Sequence, residues 1–499
     1  MVGRRRNLPT TVADGSVCLI EEDAVMTGMS FEAAVNFAQK GKVRVMMRNH
    51  LHTTIRLRSG VFMCTVRVAP KEVQIVELED EPEGIYVSME QKSPEDDKVE
   101  VNTLDFPGVK EELDRLLKRF RNSIALGGDD LGRTNVLKHR IKLKPGTSPV
   151  YIPAYRFPHS RKEAIKTIVQ DLKAKGVIED SESPWNFPLI LVPKKTNEWR
   201  PCVDYRRLND CTTPDRYPMP VLTELLQGLG KASVFSSLDL ISGYHQVSMD
   251  PESKELTAFS TPEGHYQFKV MPFGLRNAPT TFSRLMDLVL KGIKGVFVLS
   301  YLDDIIVYSK NEKEHLRHLE QVLTRLQTAG LKLRLSKCEF FKKRLQFLGH
   351  VVDATGVHTQ SDKINKVKNW PDLKDKKEVQ RFLGLAGYYR AFVPDYTKVA
   401  HPIIKLTREE EPFVWGPEQS NAFQALKDRL TSAPILRFPD YEKTFYLATD
   451  ASAVGLGACL MQYTEKRLMP IAYASRLLKP AERNYSVTQQ EALGVVWAL

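Results

Sequence analysis

A chain of 499 residues exceeds what one hydrophobic core ordinarily organises, so length alone predicts two to four domains. A hydrophobic content of 42% with 9% aromatics excludes a disordered chain. The 72 basic against 61 acidic residues leave a formal charge of +11, which favours a polyanionic partner but equally serves solubility.

The cysteines, Cys18, Cys64, Cys202, Cys211, Cys338 and Cys459, form no CxxC pair and no zinc spacing. This excludes a zinc module and a disulfide-built secreted scaffold, and leaves reduced structural thiols. No run approaches the length of a membrane span, and the basic N-terminus has no apolar segment behind it, so the chain reads as soluble, intracellular and without a membrane partner.

In chain order, Met29 to Lys40 predicts a short helix, capped by Ser30 and stopped by Gly41. Residues 42–47 and 53–68 alternate apolar and basic side chains around an Arg58-Ser59-Gly60 turn and predict strands of a half-exposed sheet. From Glu77 to Pro107 the composition turns acidic, Pro-containing and weakly periodic, as in a linker. Amphipathic helices are expected over Val109–Phe120, over Ser160–Gly176 with a glycine stop, and from an Asn311 cap to Gly330. Strand candidates lie between them, at 187–195, 200–209, 233–240, 265–270, 295–310 and 345–352. The mixture is α+β, and the absence of any repeat excludes solenoids and propellers.

One of these strand candidates is interrupted by charge. "VFVLSYLDDIIVYSK" places Asp303 and Asp304 inside an apolar run. In an exposed turn adjacent aspartates are ordinary, but these flanks predict a hairpin of largely buried strands. Two unit charges about 4 Å apart repel by ~1 kcal/mol in water and by ~4 kcal/mol at an effective dielectric near 20, so a bound cation is the natural compensation. Asp239, closing the apolar run in "SVFSSLDLISGYHQV", offers a third carboxylate, although in isolation a strand-end cap is the commoner explanation. Three such groups can hold two Mg²⁺ ions roughly 3.5–4 Å apart for an in-line phosphoryl transfer.

"YLDD", "SLDLISGYHQV", "RPCVDYRRLN" and "MPFGLRNAPTTF" together resemble the reverse transcriptase of gypsy-class LTR retrotransposons, from about His139 onward. The resemblance implies a right-hand polymerase of fingers, palm and thumb, using two Mg²⁺ ions, with Mn²⁺ as a substitute, to copy RNA or DNA templates. It implies Asp239, Asp303 and Asp304 as catalytic and metal-binding residues, with Asp304 the more auxiliary. Lys194 or Lys195, and Arg200, match positions that hold the incoming dNTP, a role suited to cations and to the paired hydrogen bonds of Arg. Tyr244 falls at the aromatic steric gate against a 2′-hydroxyl. Phe273 stands where retroviral enzymes carry glutamine, which points to the retrotransposon branch. Leu348 and Gly349 match the primer grip, and "RFLGLAGYYRAFVPDYTKVAHPIIKLT" the helical thumb segment, most of whose aromatics are expected in the core.

Further along, "TFYLATDASAVGLGACLMQ" resembles the opening hairpin of an RNase H fold, with a strand ending at Asp450, and "SVTQQEALGVVWAL" a helix bearing Glu491. Both acids match metal positions of that family's nuclease; alone they would read as a cap and a dipole partner. The family's remaining acidic positions are not in the sequence, and the apolar run to Leu499 has no cap, so the expectation is a truncated, inactive nuclease.

The expected organisation is a β-rich N-terminal segment at 1–80, an acidic linker with short helices at 81–138, fingers and palm at 139–325, primer grip and thumb at 326–410, and a linker with a truncated RNase H-like α/β domain at 411–499. The expected function is RNA-directed DNA polymerase, with an RNA template, a DNA primer, RNA–DNA hybrid and dNTPs as partners. Cytoplasm or a virus-like particle is the implied location, with the nucleus as a further compartment. A catalytically silent nucleic-acid-binding remnant and a ribonuclease H are the competing readings.

Overall fold

The computed structural model describes residues 105–193, 199–230, 232–464 and 467–499 and, as backbone alone, five short strands between Val17 and Val68. The chain divides into two compact units, Met1–Gln91 and Lys92–Leu499. In the first, Val17–Glu21 pairs antiparallel with Val35–Phe37 and with Thr65–Val68, and Met29–Phe31 pairs with Met47–Asn49. The helix expected over Met29–Lys40 is therefore corrected to strand at 29–31 and 35–37. Val35 and Phe37 suit a pleated surface, and an isolated helix of that length is marginal without a packing partner. The rest of that segment, most of the strand predictions over 42–64, and the acidic stretch up to residue 104 lie outside the described residues.

The second unit is α+β. Helix Lys110–Arg119 buries Leu113, Leu116 and Leu117 on one face, with Glu111 and Glu112 in its first turn and Lys118 and Arg119 in its last, each complementing the helix dipole. Helix His159–Ala174 stops at Gly176, whose φ is +62°. A five-stranded sheet follows in the order Ile178–Asp180, Gly264–Phe268, Phe259–Thr261, Phe187–Pro193, Trp199–Val203. The strand predicted through Asn209 ends at Val203 and gives way to helix Arg206–Cys211. There the Asp204 carboxylate accepts the Arg206 backbone N–H at 3.2 Å, while the buried Tyr205 hydroxyl donates to the Thr257 carbonyl at 2.9 Å, and the two contacts bend the chain out of the sheet.

The central element is an antiparallel four-stranded sheet ordered Val298–Tyr301, Asp304–Ser309, Val234–Asp239, Glu339–Lys342. Its apolar residues alternate between two cores. Leu238, Ile305 and Val307 join Phe282, Leu285, Leu319 and Leu323 of helices Ala278–Val289 and Glu312–Thr328. Phe235, Ile306 and Tyr308 face the other way, into the core of Leu345, Phe347, Phe382 and Tyr389. Cover on both faces explains why the strands read as continuous apolar runs rather than alternating ones. Helix Glu312–Thr328 starts as expected, with Asn311 Oδ1 accepting the Glu314 N–H at 3.0 Å, and ends before Gly330 at φ +68°.

Beyond it, Arg344–Phe347, His350–Asp353 and Gly356–Thr359 form a meander, followed by helices Ser361–Lys368, Lys376–Tyr388, Tyr396–Lys405 and Pro417–Thr431. Phe382, Tyr389, Phe392 and Tyr396 of the expected thumb segment are buried. The last sheet has strands Tyr446–Ala451, Gly455–Thr464 and Arg467–Leu477, and helix Val487–Ala498 closes the chain behind a capping box of Ser486 and Gln489. Among the described residues no helix is long and apolar enough to cross a membrane, and Cys202, Cys211, Cys338 and Cys459 are free thiols.

Candidate active site

Two strand ends meet at the candidate site. Asp239, last residue of its strand, stands directly opposite Asp304, first residue of the next, in the antiparallel register. The predicted hairpin is present: Tyr301 pairs with Asp304 across a two-residue turn of Leu302 and Asp303. Leu302 has φ +56°, a conformation that costs a side-chain-bearing residue about 1–2 kcal/mol and is typical of functional turns.

Asp303 is placed alongside a second tight segment. Ser242 has φ +45° and leads into the buried Gly243, where an added Cβ would lie 3.1 Å from Phe282 Cζ and 3.4 Å from Asp303 Cβ. A side chain there would press on the Phe282 ring, which would have to give by a few tenths of an ångström, so glycine suits the place between Asp303 and that ring.

The electrostatics follow from half-burial without a counter-ion of full strength among the described residues. Burial lifts the Asp304 carboxyl from its ordinary 3.8 to about 6, and the charges of Asp303 and then Asp239 push it in the same direction. Asp239 is also raised, first by burial and further by Asp303, while Lys337 and Arg334 pull it back. Lys337 Nζ lies 3.7 Å from Asp239 Oδ2 on a side chain 58% exposed, too solvated to neutralise the group. Among the described residues no group of three or more His, Cys, Asp or Glu side chains forms a ready-made metal cage. The three aspartates nevertheless fit a hard divalent cation: their donors are all oxygen, and bringing ionised carboxylates together raises two of them toward protonation, a cost that a cation offsets.

Around this centre, Tyr244 stacks on Phe273 with centroids 5.1 Å apart and packs on Phe282 at 5.4 Å. Its hydroxyl is pushed up to about 12 by burial and then by the Asp303 charge, so it stays protonated. Phe273 is 53% exposed, and the His245 ring meets it edge-on at 5.3 Å. Arg200 lies exposed on strand Trp199–Val203, opposite Val192. Lys194 and Lys195 lie outside the described residues. Leu348 and Gly349 form the two-residue turn between Arg344–Phe347 and His350–Asp353, with φ of 45° and 72°.

Asp450 lies on the strand Tyr446–Ala451, one residue before its end, and Glu491 on the helix Val487–Ala498 that packs against that strand through Gly494 and Thr449. Both are exposed, and no hydrogen bond or ion pair joins them. The third strand of this sheet, Arg467–Leu477, has no counterpart among the sequence-predicted elements: its register shifts between Leu460 and Met461, around Pro470, and it lacks clean alternation. Lys337 and Arg334 are the site's neighbours that motif spacing does not point to, while Gly243 and Phe282 lie inside the quoted motifs but were assigned no role there. Their places in those motifs, Gly243 close behind the Asp239 strand end, were the available signal.

Residues 192–352 match the family "Reverse transcriptase (RNA-dependent DNA polymerase)" and residues 415–499 match the "RNase H-like domain found in reverse transcriptase". The retrovirus-related Pol polyprotein from transposon 297 of Drosophila melanogaster is 39% identical over 454 residues, covering 87% of this chain and 42% of that protein. The corresponding polyprotein from transposon gypsy of the same organism is 37% identical over 419 residues, covering 80% and 40%. This chain thus spans less than half the length of these relatives. Among solved structures, that of the foamy viral protease-reverse transcriptase in complex with dsDNA is 26% identical, with a TM-score of 0.69 over 81% of this chain and 85% of that one. A polymerase-type fold, the two family matches in sequence and the length of the shared alignment lead to one assignment: the chain carries a reverse transcriptase domain followed by an RNase H-like domain, and over that span it is similar to part of the retrovirus-related Pol polyproteins of gypsy-type transposons.

Proposed function

We propose that this chain is an RNA-directed DNA polymerase, joining a dNTP to a primer 3′-hydroxyl on an RNA or DNA template. The observation that carries the reading is the meeting of Asp239, Asp303 and Asp304 at two strand ends, half-buried and electrostatically strained. The relatives' family and the dsDNA held by the foamy viral enzyme support it. The working place is the cytoplasm or a virus-like particle.

Asp239, Asp303 and Asp304 are the residues that would hold two Mg²⁺ ions, which supply hydroxyl activation and neutralise phosphate charge when bound. The protein's own contribution is positional. The strained Leu302 turn and the packed Gly243 segment hold Asp303 in place, so little reorganisation is needed as charge develops. The Tyr244 ring, braced by Phe273 and Phe282, forms a rigid wall where the sugar of the incoming nucleotide would lie, and its protonated hydroxyl adds no negative charge. Arg200, with Lys194 or Lys195, would take the triphosphate, and Leu348 and Gly349 the primer end.

Primer extension on an RNA template with Mg²⁺ or Mn²⁺ tests the proposal. Incorporation is expected, with Asp303→Asn lowering it by about 10³-fold. Folded protein that binds primer–template without incorporating any dNTP would refute the polymerase reading and mark the chain as a binding module.

A further inference from the structure

The Leu348–Gly349 turn is gripped from outside its own sheet. A hairpin with two positive φ values closes through its flanking residues, and its central carbonyls ordinarily face water. Here both are taken by consecutive tyrosines at the end of helix Lys376–Tyr388. The Tyr388 hydroxyl donates to the Leu348 carbonyl, and the Tyr389 hydroxyl donates to the Gly349 carbonyl at 2.5 Å. Tyr389 is fully buried, while Tyr388 is 39% exposed.

The surroundings make the grip stiff. His350 Nδ1 lies 3.2 Å from the Leu348 carbonyl oxygen, and its ring packs on Tyr388 and Tyr389 at 5.1 and 5.3 Å. The Lys363 ammonium sits 4.5 Å from the centre of the Tyr388 ring, and a side chain at position 349 would run into Lys363 and the Tyr388 hydroxyl. Tyr301, the residue that opens the Asp303–Asp304 hairpin, packs against the same apolar cluster as Leu348 and Tyr389. The turn therefore has a hydroxyl-bonded helix on one side and shares a core with the carboxylate hairpin on the other.

We propose that Tyr388 and Tyr389 are positioning residues whose hydroxyls lock the Leu348–Gly349 turn to helix Lys376–Tyr388 and keep it in register with the Asp303–Asp304 hairpin, so that a primer end lying on the turn meets the carboxylates at attack geometry. This rests on the polymerase reading above, in which the turn carries the primer. Without the two bonds the turn keeps its own strands and the apolar packing of Leu348 but no directional tie to the helix, and small displacements of a reacting oxygen slow chemistry far more than they weaken binding.

The test uses the full chain with Tyr388→Phe, Tyr389→Phe and the double variant, which lose the hydroxyls and keep the rings. Single-turnover incorporation on a preannealed DNA primer and RNA template is followed over dNTP concentration, with thermal melting and hydrogen exchange at residues 347–350 as companions. For the double variant the maximal rate is expected to fall about 10-fold while the dNTP half-saturation stays within about 2-fold. Amides 347–350 are expected to exchange faster, with the melting temperature near that of the parent. An unchanged rate overturns the proposal, as does a fall in rate and melting temperature together with unchanged exchange at the turn, since that pattern marks packing alone. A parent chain that incorporates nothing overturns the polymerase reading instead, and unchanged exchange at 347–350 in the double variant then refutes the lock itself.

Discussion

Asp304→Asn should stabilise the protein while lowering its proposed activity. The Asp304 side chain makes no hydrogen bond or ion pair within the described residues, so the near-isosteric amide forfeits none. What it removes is a carboxylate that folding holds at about 6 instead of 3.8, through burial and the charges of Asp303 and Asp239. At face value such a rise corresponds to ~3 kcal/mol. The group keeps substantial solvent contact, so screening reduces the gain to about 1 kcal/mol. The sign is set by which state binds the proton more tightly. Below pH 3.8 the carboxyl is protonated folded and unfolded, and parent and variant are equally stable. As pH rises toward about 6 the unfolded chain releases the proton first, so the parent loses ground, and above that value the advantage of the variant is complete.

Urea melts of both proteins between pH 4 and 8 without divalent cations measure this directly. Addition of Mg²⁺ is expected to narrow the gap by stabilising the parent alone. A variant that is less stable than the parent at pH 7.5, or a gap that does not change with pH, would refute the account of the site as a strained cluster of carboxylates.

Three other outcomes follow from the same geometry. Gly243→Ala forces a Cβ to 3.1 Å from the fully buried Phe282 ring; about 1–3 kcal/mol of stability should be lost in thermal melts, with incorporation falling disproportionately because Asp303 and Tyr244 both lean on that contact. Tyr244→Val removes the wall braced by Phe273 and Phe282, so the preference for dNTP over rNTP in single-nucleotide extension should relax by about 10-fold or more. His315 is fully buried between Ser236 and Ser309, at 2.7 and 2.8 Å, and burial lowers its pKa from 6.5 to about 3. His315→Ala should cost roughly 1–3 kcal/mol at pH 7, since each hydroxyl loses one bond while Ser236 keeps the Phe341 N–H and Ser309 keeps His318. In the parent, His315 adds stability that is full above pH 6.5 and is lost progressively as pH falls from there toward about 3, so the deficit of the variant should shrink in acid urea melts.

What the sequence made legible was whatever local patterning decides. Asn311 caps its helix because an Asx side chain reaches the third following amide, and Gly330 and Gly176 stop helices because the chain needs positive φ there. The strands on either side of Asp303 and Asp304 could be read because cover on both faces demands unbroken apolar runs. Elements that depend on distant partners were not legible. Residues 29–37 carry enough helical spacing to mislead, and only their sheet partners decide for strand. Arg200–Asn209 reads as one strand until Tyr205 finds the Thr257 carbonyl. Lys337 and Arg334 reach Asp239, and Tyr388 and Tyr389 reach the Leu348–Gly349 turn, across chain separations that no spacing rule covers.

The apolar runs and the carboxylates they end on are two consequences of one arrangement. A strand covered on both faces cannot carry a charge along its length, because each face would bury it at a cost of several kcal/mol. Charge can therefore enter only where the cover stops, at the ends of Val234–Asp239 and Asp304–Ser309, and antiparallel pairing makes those ends adjacent. Adjacent half-buried carboxylates repel, and the rise in two of them measures how far the protein alone falls short of holding them ionised. The exposed Lys337 covers only part of that shortfall. The fold thus concentrates negative charge at a rigid point that the cations among the described residues leave undercompensated, a demand that a divalent cation would meet.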